Sequence, residues 1–281
     1  MYKRILLCTD GSPAADVAAE YAVWLARHLG SQVQVLYVTD VRILEGPLMA
    51  DIAGAFGAQP YPGLIPRLQE IQREKAATIL AATGKRFEQA SIPFTTLHQT
   101  GKLVSLILDR EKESDVVVIG QRGEHAEWTN GMLGSSVERV VRASIKPCIV
   151  TPGQARPVSH ILIAYDDSPS ARNALETTLT LASKLKTEIT ILAACHRETE
   201  ETASRALQVA HAEATKRNLP ARAQLVHGDA AQQIINQAIA LQAQLIVMGA
   251  YGHTRIREWI LGSTTSQVLH RAGVPVLLVR P

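Results

Sequence analysis

Cysteine is scarce: there are three in 281 residues, Cys8, Cys148 and Cys195, odd in number, far apart and set among apolar neighbours. Such thiols read as buried and reduced, and neither a disulfide framework nor a metal cluster is expected of them. Long apolar runs are missing as well. No stretch approaches the roughly 18 apolar residues that cross a bilayer, and Ile5-Leu6-Leu7-Cys8 is too short for a signal peptide, so a cytoplasmic protein without a membrane partner is expected. Charge of one sign is also in short supply. Lys plus Arg is 29 against 26 Asp plus Glu, a formal +3, whereas a groove that tracks a nucleic-acid backbone needs a larger and more clustered excess. Nucleic acid is therefore not an expected partner. The P-loop pattern Gly-x-x-x-x-Gly-Lys-Ser/Thr, the metal spacings His-x-x-x-His and Cys-x-x-Cys, and the nucleophile elbow Gly-x-Ser-x-Gly do not occur. Sequence signatures favour binding over turnover, and no catalytic residue is assigned.

What is present is an ordinary globular balance, 46% hydrophobic and 20% charged, on a chain long enough for about two domains. The chain repeats itself. Ile5-Leu6-Leu7-Cys8-Thr9-Asp10-Gly11-Ser12-Pro13-Ala14 returns as Ile161-Leu162-Ile163-Ala164-Tyr165-Asp166-Asp167-Ser168-Pro169-Ser170, offset by 156. Val116-Val117-Val118-Ile119-Gly120 returns as Leu245-Ile246-Val247-Met248-Gly249, offset by 129, so the first half carries about 27 extra residues between the landmarks. The excess is placed at about 40–66, a Gly-, Pro- and Ala-rich stretch that is either a surface insertion or a lid or partner-contact loop.

Each half alternates strand and helix. The first predicts strands at Ile5–Thr9, Gln32–Val38, Phe94–Leu97, Asp115–Ile119 and Cys148–Thr151, and helices after Ser12-Pro13, at Arg67–Gln89, Leu103–Lys112 and Ser135–Ala143. The second repeats the order with strands Ile161–Ala164, Glu188–Ala193, Arg222–Val226, Leu245–Met248 and Val276–Val279, and helices Ala171–Leu185, Thr202–Asn218, Ala230–Gln242 and Ser263–Arg271. Strands separated by helices imply right-handed parallel crossovers. The expected fold is α/β, two tandem doubly wound domains, 1–153 and 154–281, each on a five-stranded parallel sheet. The segment Pro152 to Val158 supplies the boundary. Ligands of such sheets sit beyond the carboxyl ends of the strands, where connections diverge to opposite faces.

The most informative stretch leaves the strand ending in Met248 and runs Gly249-Ala250-Tyr251-Gly252 to Gly262-Ser263-Thr264 at the mouth of a helix. Unpaired amides and the helix dipole favour an anion there, glycine lets a phosphate oxygen approach the main chain, and the hydroxyls of Ser263 and Thr264 can donate too. Asp166 ends the first strand of the same half and faces the same crevice. On these residues the chain resembles a tandem member of the universal stress protein family. Its ATP-binding members carry Gly-x-x-Gly, nine residues, then Gly-Ser or Gly-Thr, a spacing that Gly249, Gly252, Gly262 and Ser263 match without a gap. Asp10 and Asp166, and the strand entries Lys146-Pro147-Cys148 and Val274-Pro275-Val276, match the family as well.

The resemblance implies an adenine nucleotide across the strand ends: ATP, with ADP or AMP as alternatives and Mg²⁺ as a further candidate. Asp166 and the backbone around Ala194 would hold the adenosine; Met248, Gly249, Gly252, Gly262, Ser263 and Thr264 would meet ribose and phosphates. His253, Arg255 and Arg257 either add charge or are solvated. A second, weaker site falls on Asp10, Val38, Gly120, Gly123, Gly134 and Ser135. There the loop is recut to ten residues before Gly134 and carries Glu124 and Glu127, whose charge opposes a triphosphate, so the second half is the better site. Asp167, where the first half has Gly11, repels phosphate, recruits Mg²⁺ or caps the following helix; capping is the reading taken.

The expected function is a nucleotide-dependent stress-response or regulatory module. A slow ATPase or phosphotransferase is the first alternative and a nucleotide-free scaffold the second. Single-unit relatives pair through their last strands, so Cys148–Thr151 is expected beside Val276–Val279 as an internal pseudo-dimer, with a homodimer of whole chains also conceivable.

Overall fold

The computed structural model describes residues 2–41, 64–123, 133–250 and 261–280. Along them run β1 (Arg4–Thr9), α1 (Pro13–Leu29), β2 (Gln32–Asp40), α2 (Leu64–Gln89), β3 (Phe94–Gly101), α3 (Leu103–Arg110), β4 (Val116–Gly120), α4 (Ser135–Ala143) and β5 (Cys148–Thr151). The second half follows with β6 (His160–Ala164), α5 (Pro169–Leu185), β7 (Glu188–Cys195), α6 (Glu200–Lys216), β8 (Ala221–His227), α7 (Ala230–Ala240), β9 (Leu245–Gly249), α8 (Ser263–Arg271) and β10 (Val276–Val279). Of the expected insertion at about 40–66, residues 42–63 lie outside the described residues, while Asp40 closes β2 and 64–66 open α2.

Local signals set the helix ends. Ser12 accepts from the Ala15 amide at 3.2 Å and Pro13 opens the first turn of α1; Gly30, at φ 66°, closes it in the left-handed conformation. Ser168, Pro169 and Lys186 do the same for α5, with Lys186 at φ 54° in place of the glycine.

The strands form one ten-stranded sheet in the order β3-β2-β1-β4-β5-β10-β9-β6-β7-β8. Each half is parallel throughout, and the halves join where β5 and β10 run antiparallel, pairing Val150 with Val276, Ile149 with Leu277 and Cys148 with Leu278. The terminal strands expected to meet therefore do meet, and they fuse the two five-stranded sheets into one. This covers an edge that each half would otherwise leave open.

Because a strand's side chains alternate, each face gathers its own core. Ile5, Leu7, Ile149, Ile161 and Leu277 pack under α1, α2, α5 and α6; Leu6, Val117, Val150, Leu162 and Leu278 pack under α3, α4, α7 and α8. Both cores cross from one half to the other. The inner strands are buried on both faces, as parallel strands under two helical layers require, while the edge strands β3 and β8 are half exposed. All three cysteines are free and buried, and burial raises each thiol above its ordinary range, Cys148 to about 12. No helix among the described residues is long and apolar enough to cross a membrane.

Candidate functional site

In the second half, β6 and β9 are hydrogen-bonded neighbours, yet α5 leaves β6 toward one face of the sheet and α8 follows β9 onto the other. The diverging connections open a crevice at the carboxyl ends of the strands, the position where open α/β sheets hold ligands. A cavity of about 200 Å³ lies there. Asp166, Ala194, Met248, Gly249, Gly262, Ser263 and Thr264 all line it, so the sequence-singled residues that can be placed are brought together. Gly252, His253, Arg255 and Arg257 lie outside the described residues.

The turn after β6 is held from within. Asp166 Oδ1 accepts from the Ser168 amide at 3.0 Å, and Ser168 Oγ accepts from the Ala171 amide at 3.2 Å, capping α5. The expected cap role of Asp167 is thereby corrected: Ser168 caps. Asp167 sits at φ 61°, a left-handed conformation that Asp tolerates better than most residues, and its carboxylate points elsewhere. It accepts from Tyr165 Oη at 2.8 Å and from Arg172 Nε and Nη2 at 2.8 and 2.9 Å. Burial and the Asp167 carboxylate push the Tyr165 phenol up to about 12. Asp166 is left as the exposed carboxylate of the crevice.

The two glycines have different reasons. A Cβ on Gly249 would stand 2.6 Å from Ser170 Oγ and 2.7 Å from the Ala171 nitrogen, so this glycine lets α5 lie against the end of β9 while it also borders the cavity. Among the described residues a Cβ on Gly262 would meet only Thr265 Oγ1, at 3.8 Å, and none of them demands a glycine there. Gly262 is the N-cap of α8, has no side-chain cap bond, and borders the cavity together with the hydroxyls of Ser263 and Thr264. The result is a helix N-terminus whose positive dipole end borders the cavity.

Sequence reading missed the apolar floor. Leu192 from β7 and Ala230 and Ile234 from the first turns of α7 line the cavity, and Thr265, buried, closes it beside α8. The signal was available: Asp229 is a recognisable N-cap, accepting from the Gln232 amide at 2.9 Å, and it places residues 230 and 234 one turn apart on one face.

In the first half the same elements recur with a different filling. Asp10 accepts from the Ser12 amide at 3.0 Å, and Gly120 lets Ala14 approach as Gly249 does Ser170. Gly123 lies directly on the aspartate: a Cβ there would stand 2.8 Å from Asp10 Oδ2. The Gly134 amide donates to Gln121 O at 3.1 Å, drawing the two ends of the loop together in front of Ser135, while Val38 is half-buried at the end of β2. Asp10 is consequently more covered than Asp166. Glu124 and Glu127 lie outside the described residues.

The helices that follow the two loops are tied across the seam. The Gln121 side-chain amide donates to Leu269 O near the end of α8, and Arg280 Nη2 donates to Val141 O at 3.0 Å and Arg142 O at 2.7 Å at the end of α4. Each half thus supplies a donor to the orphan carbonyls of the other half's last helix.

Comparison with known proteins gives one answer. The model of the universal stress protein family matches residues 1–152 and again 157–280. The universal stress protein Slr1230 of Synechocystis is 34% identical over 288 residues, covering 99% of this chain and 100% of the relative. The universal stress protein Rv2005c of Mycobacterium tuberculosis is 24% identical over 302 residues, 98% of this chain and 96% of the relative. Among solved structures, a universal stress protein from Archaeoglobus fulgidus superposes with a TM-score of 0.77 at 22% identity, covering 99% of this chain and 96% of that one.

Proposed function

The chain belongs to the universal stress protein family as a tandem two-domain member, and from that premise we propose that it is an ATP-binding regulatory module whose nucleotide lies in the crevice of the second half. The observation that carries this reading is Gly262: a glycine that no contact among the described residues requires, at the start of α8, bordering a cavity that Asp166, Ala194 and Met248 also line.

The residues fit the parts of an adenine nucleotide. Leu192, Met248 and Ile234 offer an apolar bed for a flat base, and the exposed Asp166 carboxylate accepts from ribose hydroxyls. Phosphate oxygens receive the first amides of α8 and the hydroxyls of Ser263 and Thr264, with no Cβ on Gly262 to hold them off. At about 200 Å³ the cavity suits a nucleoside, and the phosphates then lie on the open ledge in front of α8. Asp166 is also the carboxylate best placed to meet Mg²⁺ accompanying the phosphates, because Asp167 is engaged by Arg172 and Tyr165.

Binding without turnover suffices for such a module, since a ligand shifts a conformational equilibrium through its differential affinity for two states. The element that receives the phosphates has its far end held by Gln121 of the other half, so occupancy bears directly on the seam. Native mass spectrometry of the purified chain tests the reading: retained ATP, ADP or AMP supports it, and a chain that stays bare after incubation with ATP and Mg²⁺ removes it.

A further inference from the structure

On the outer face of the second half, α5 and α6 diverge around a groove of about 600 Å³, on the other side of the Tyr165–Asp167 turn from the crevice. The first half fills the part of this place next to the turn and keeps a smaller cleft of about 390 Å³ beside Val23 and Arg86. The two halves align residue by residue here. Ser91 and Asn218 both take a positive φ, 55° and 54°, and the amides of Ile92 and Leu219 return to Phe87 O and Ala214 O at 2.9 and 3.1 Å. Counting back along the helices, Ile79 corresponds to Ala206 and Arg86 to Glu213.

In the first half the Ile79 side chain presses on the turn after β1, its Cδ1 only 2.8 Å from where a Cβ on Gly11 would lie. Arg86 then ties α2 to α1 through Asp16 at 2.9 Å and Glu20 at 3.5 Å. In the second half the plug has gone. Ala206 replaces Ile79, Asp167 occupies the place of Gly11, and Arg172, at the position of Asp16, turns back onto Asp167 instead of bridging the helices. The floor has become more aliphatic, with Leu175 and Leu179 where α1 has Ala19 and Val23. At the lip Val209 is 62% exposed.

The charges say what sort of ligand belongs there. Among the described residues, every charged side chain lining the groove is already paired within the protein: Arg172 with Asp167, Glu176 with Arg217, Arg205 with Glu201 and Glu213 with Lys216. An ion would enter unpaired or break one of these pairs, whereas a neutral molecule leaves all of them intact. The volume lies within the range of small-molecule sites, roughly 300–1,000 Å³. We propose that the groove between α5 and α6 is a second ligand site that takes a neutral, largely apolar small molecule, its body standing where the Ile79 side chain stands in the first half. The site is independent of the nucleotide reading and shares with the crevice only the Tyr165 wall.

Titration of the full chain with N-phenyl-1-naphthylamine, a neutral apolar fluorophore, and with its charged relative 8-anilinonaphthalene-1-sulfonate tests this without ATP present. Saturable, blue-shifted emission is expected from the neutral dye, with weaker binding of the sulfonate. The substitution Ala206→Ile restores the plug and is expected to weaken the neutral dye by about ten-fold, the effect of displacing one or two buried methylene contacts. Methyl spectra of the wild-type chain keep the outcome readable if that variant misfolds: Leu175 and Leu179 shift on adding the neutral dye, and Val23 does not. Non-saturable binding, equal or tighter binding of the sulfonate, unchanged affinity in folded Ala206→Ile, or shifts at Val23 in place of Leu175 and Leu179 would each overturn the proposal.

Discussion

Ile149 and Leu277 face each other across the antiparallel seam, and each holds the same place in its own repeat, two residues after the proline that leads into its strand. A pseudo-two-fold axis therefore passes between them. Both are buried, at 4% and 0% exposure, in the core that runs continuously under α1 and α5. Truncating Leu277 to Ala is expected to cost about 2–5 kcal/mol, as buried Leu truncations do, because the cavity opens in the joint itself. Urea denaturation followed by circular dichroism measures the loss. A midpoint that does not move would show that the joint bears no load.

The caps at Val141 and Leu269 extend the same symmetry, since these residues are equivalent in the two repeats. Arg280→Ala leaves two terminal carbonyls of α4 without that donor and removes a positive charge from the helix end, an expected loss of about 1–3 kcal/mol. Gln121→Ala acts on the other half. The two sites lie on opposite helices, so the double variant is expected to lose close to the sum of the singles. Chemical denaturation of all three chains checks this, and an Arg280→Ala chain as stable as wild type would contradict it.

The glycines that bound the crevice separate by purpose. Gly249→Ala drives a methyl into the Ser170–Ala171 backbone and is expected to destabilise by about 1–3 kcal/mol, as overpacking does. Gly262→Ala meets, among the described residues, only Thr265 Oγ1 at 3.8 Å and is expected to cost no more than the N-cap preference of glycine over alanine, under about 1 kcal/mol. Thermal melts of the two variants side by side distinguish them, and an equal loss in both would show that Gly262 is also a packing glycine.

Glu111, just after α3, is 1% exposed; it accepts from Ser144 Oγ and, at 2.9 Å, from the Ile145 amide. Burial raises its pKa, against the lowering effects of those two bonds and of Arg280 and Lys146. An acid whose folded pKa is raised holds its proton more tightly in the folded state, so its contribution is greatest below the unfolded pKa and declines as pH climbs through the window up to the folded pKa. Glu111→Gln has no such proton to lose. The stability of wild type relative to this variant is thus expected to fall as pH rises above the ordinary glutamate range near about 4.3. Melts at stepped pH measure it, and a flat or rising difference would contradict the assignment.

The element order was legible because the signals were local. The limits Ser135–Ala143, Ser263–Arg271, Cys148–Thr151 and Val276–Val279 agree with the sequence reading, each helix starting at a Gly-Ser pair and each strand following a proline. β3 runs to Gly101, past the expected Leu97, because its last residues, His98, Gln99 and Thr100, lie on a half-exposed edge strand and carry no apolar pattern. The gathering of Asp166, Ala194 and Gly262 at one edge followed from the topology. What remained hidden was contact between residues remote in sequence. Nothing periodic announces that Gln121 reaches Leu269 or that Arg280 reaches Val141.

Isothermal titration of ATP with Mg²⁺ into the wild-type chain, Gly262→Val and Gly134→Val tests the central claim most directly. Saturable heat is expected from the wild type, lost in folded Gly262→Val and persisting in Gly134→Val, because the proposed site puts the phosphates in the crevice of the second half. No heat from the wild type, or heat that Gly262→Val leaves unchanged, would contradict it.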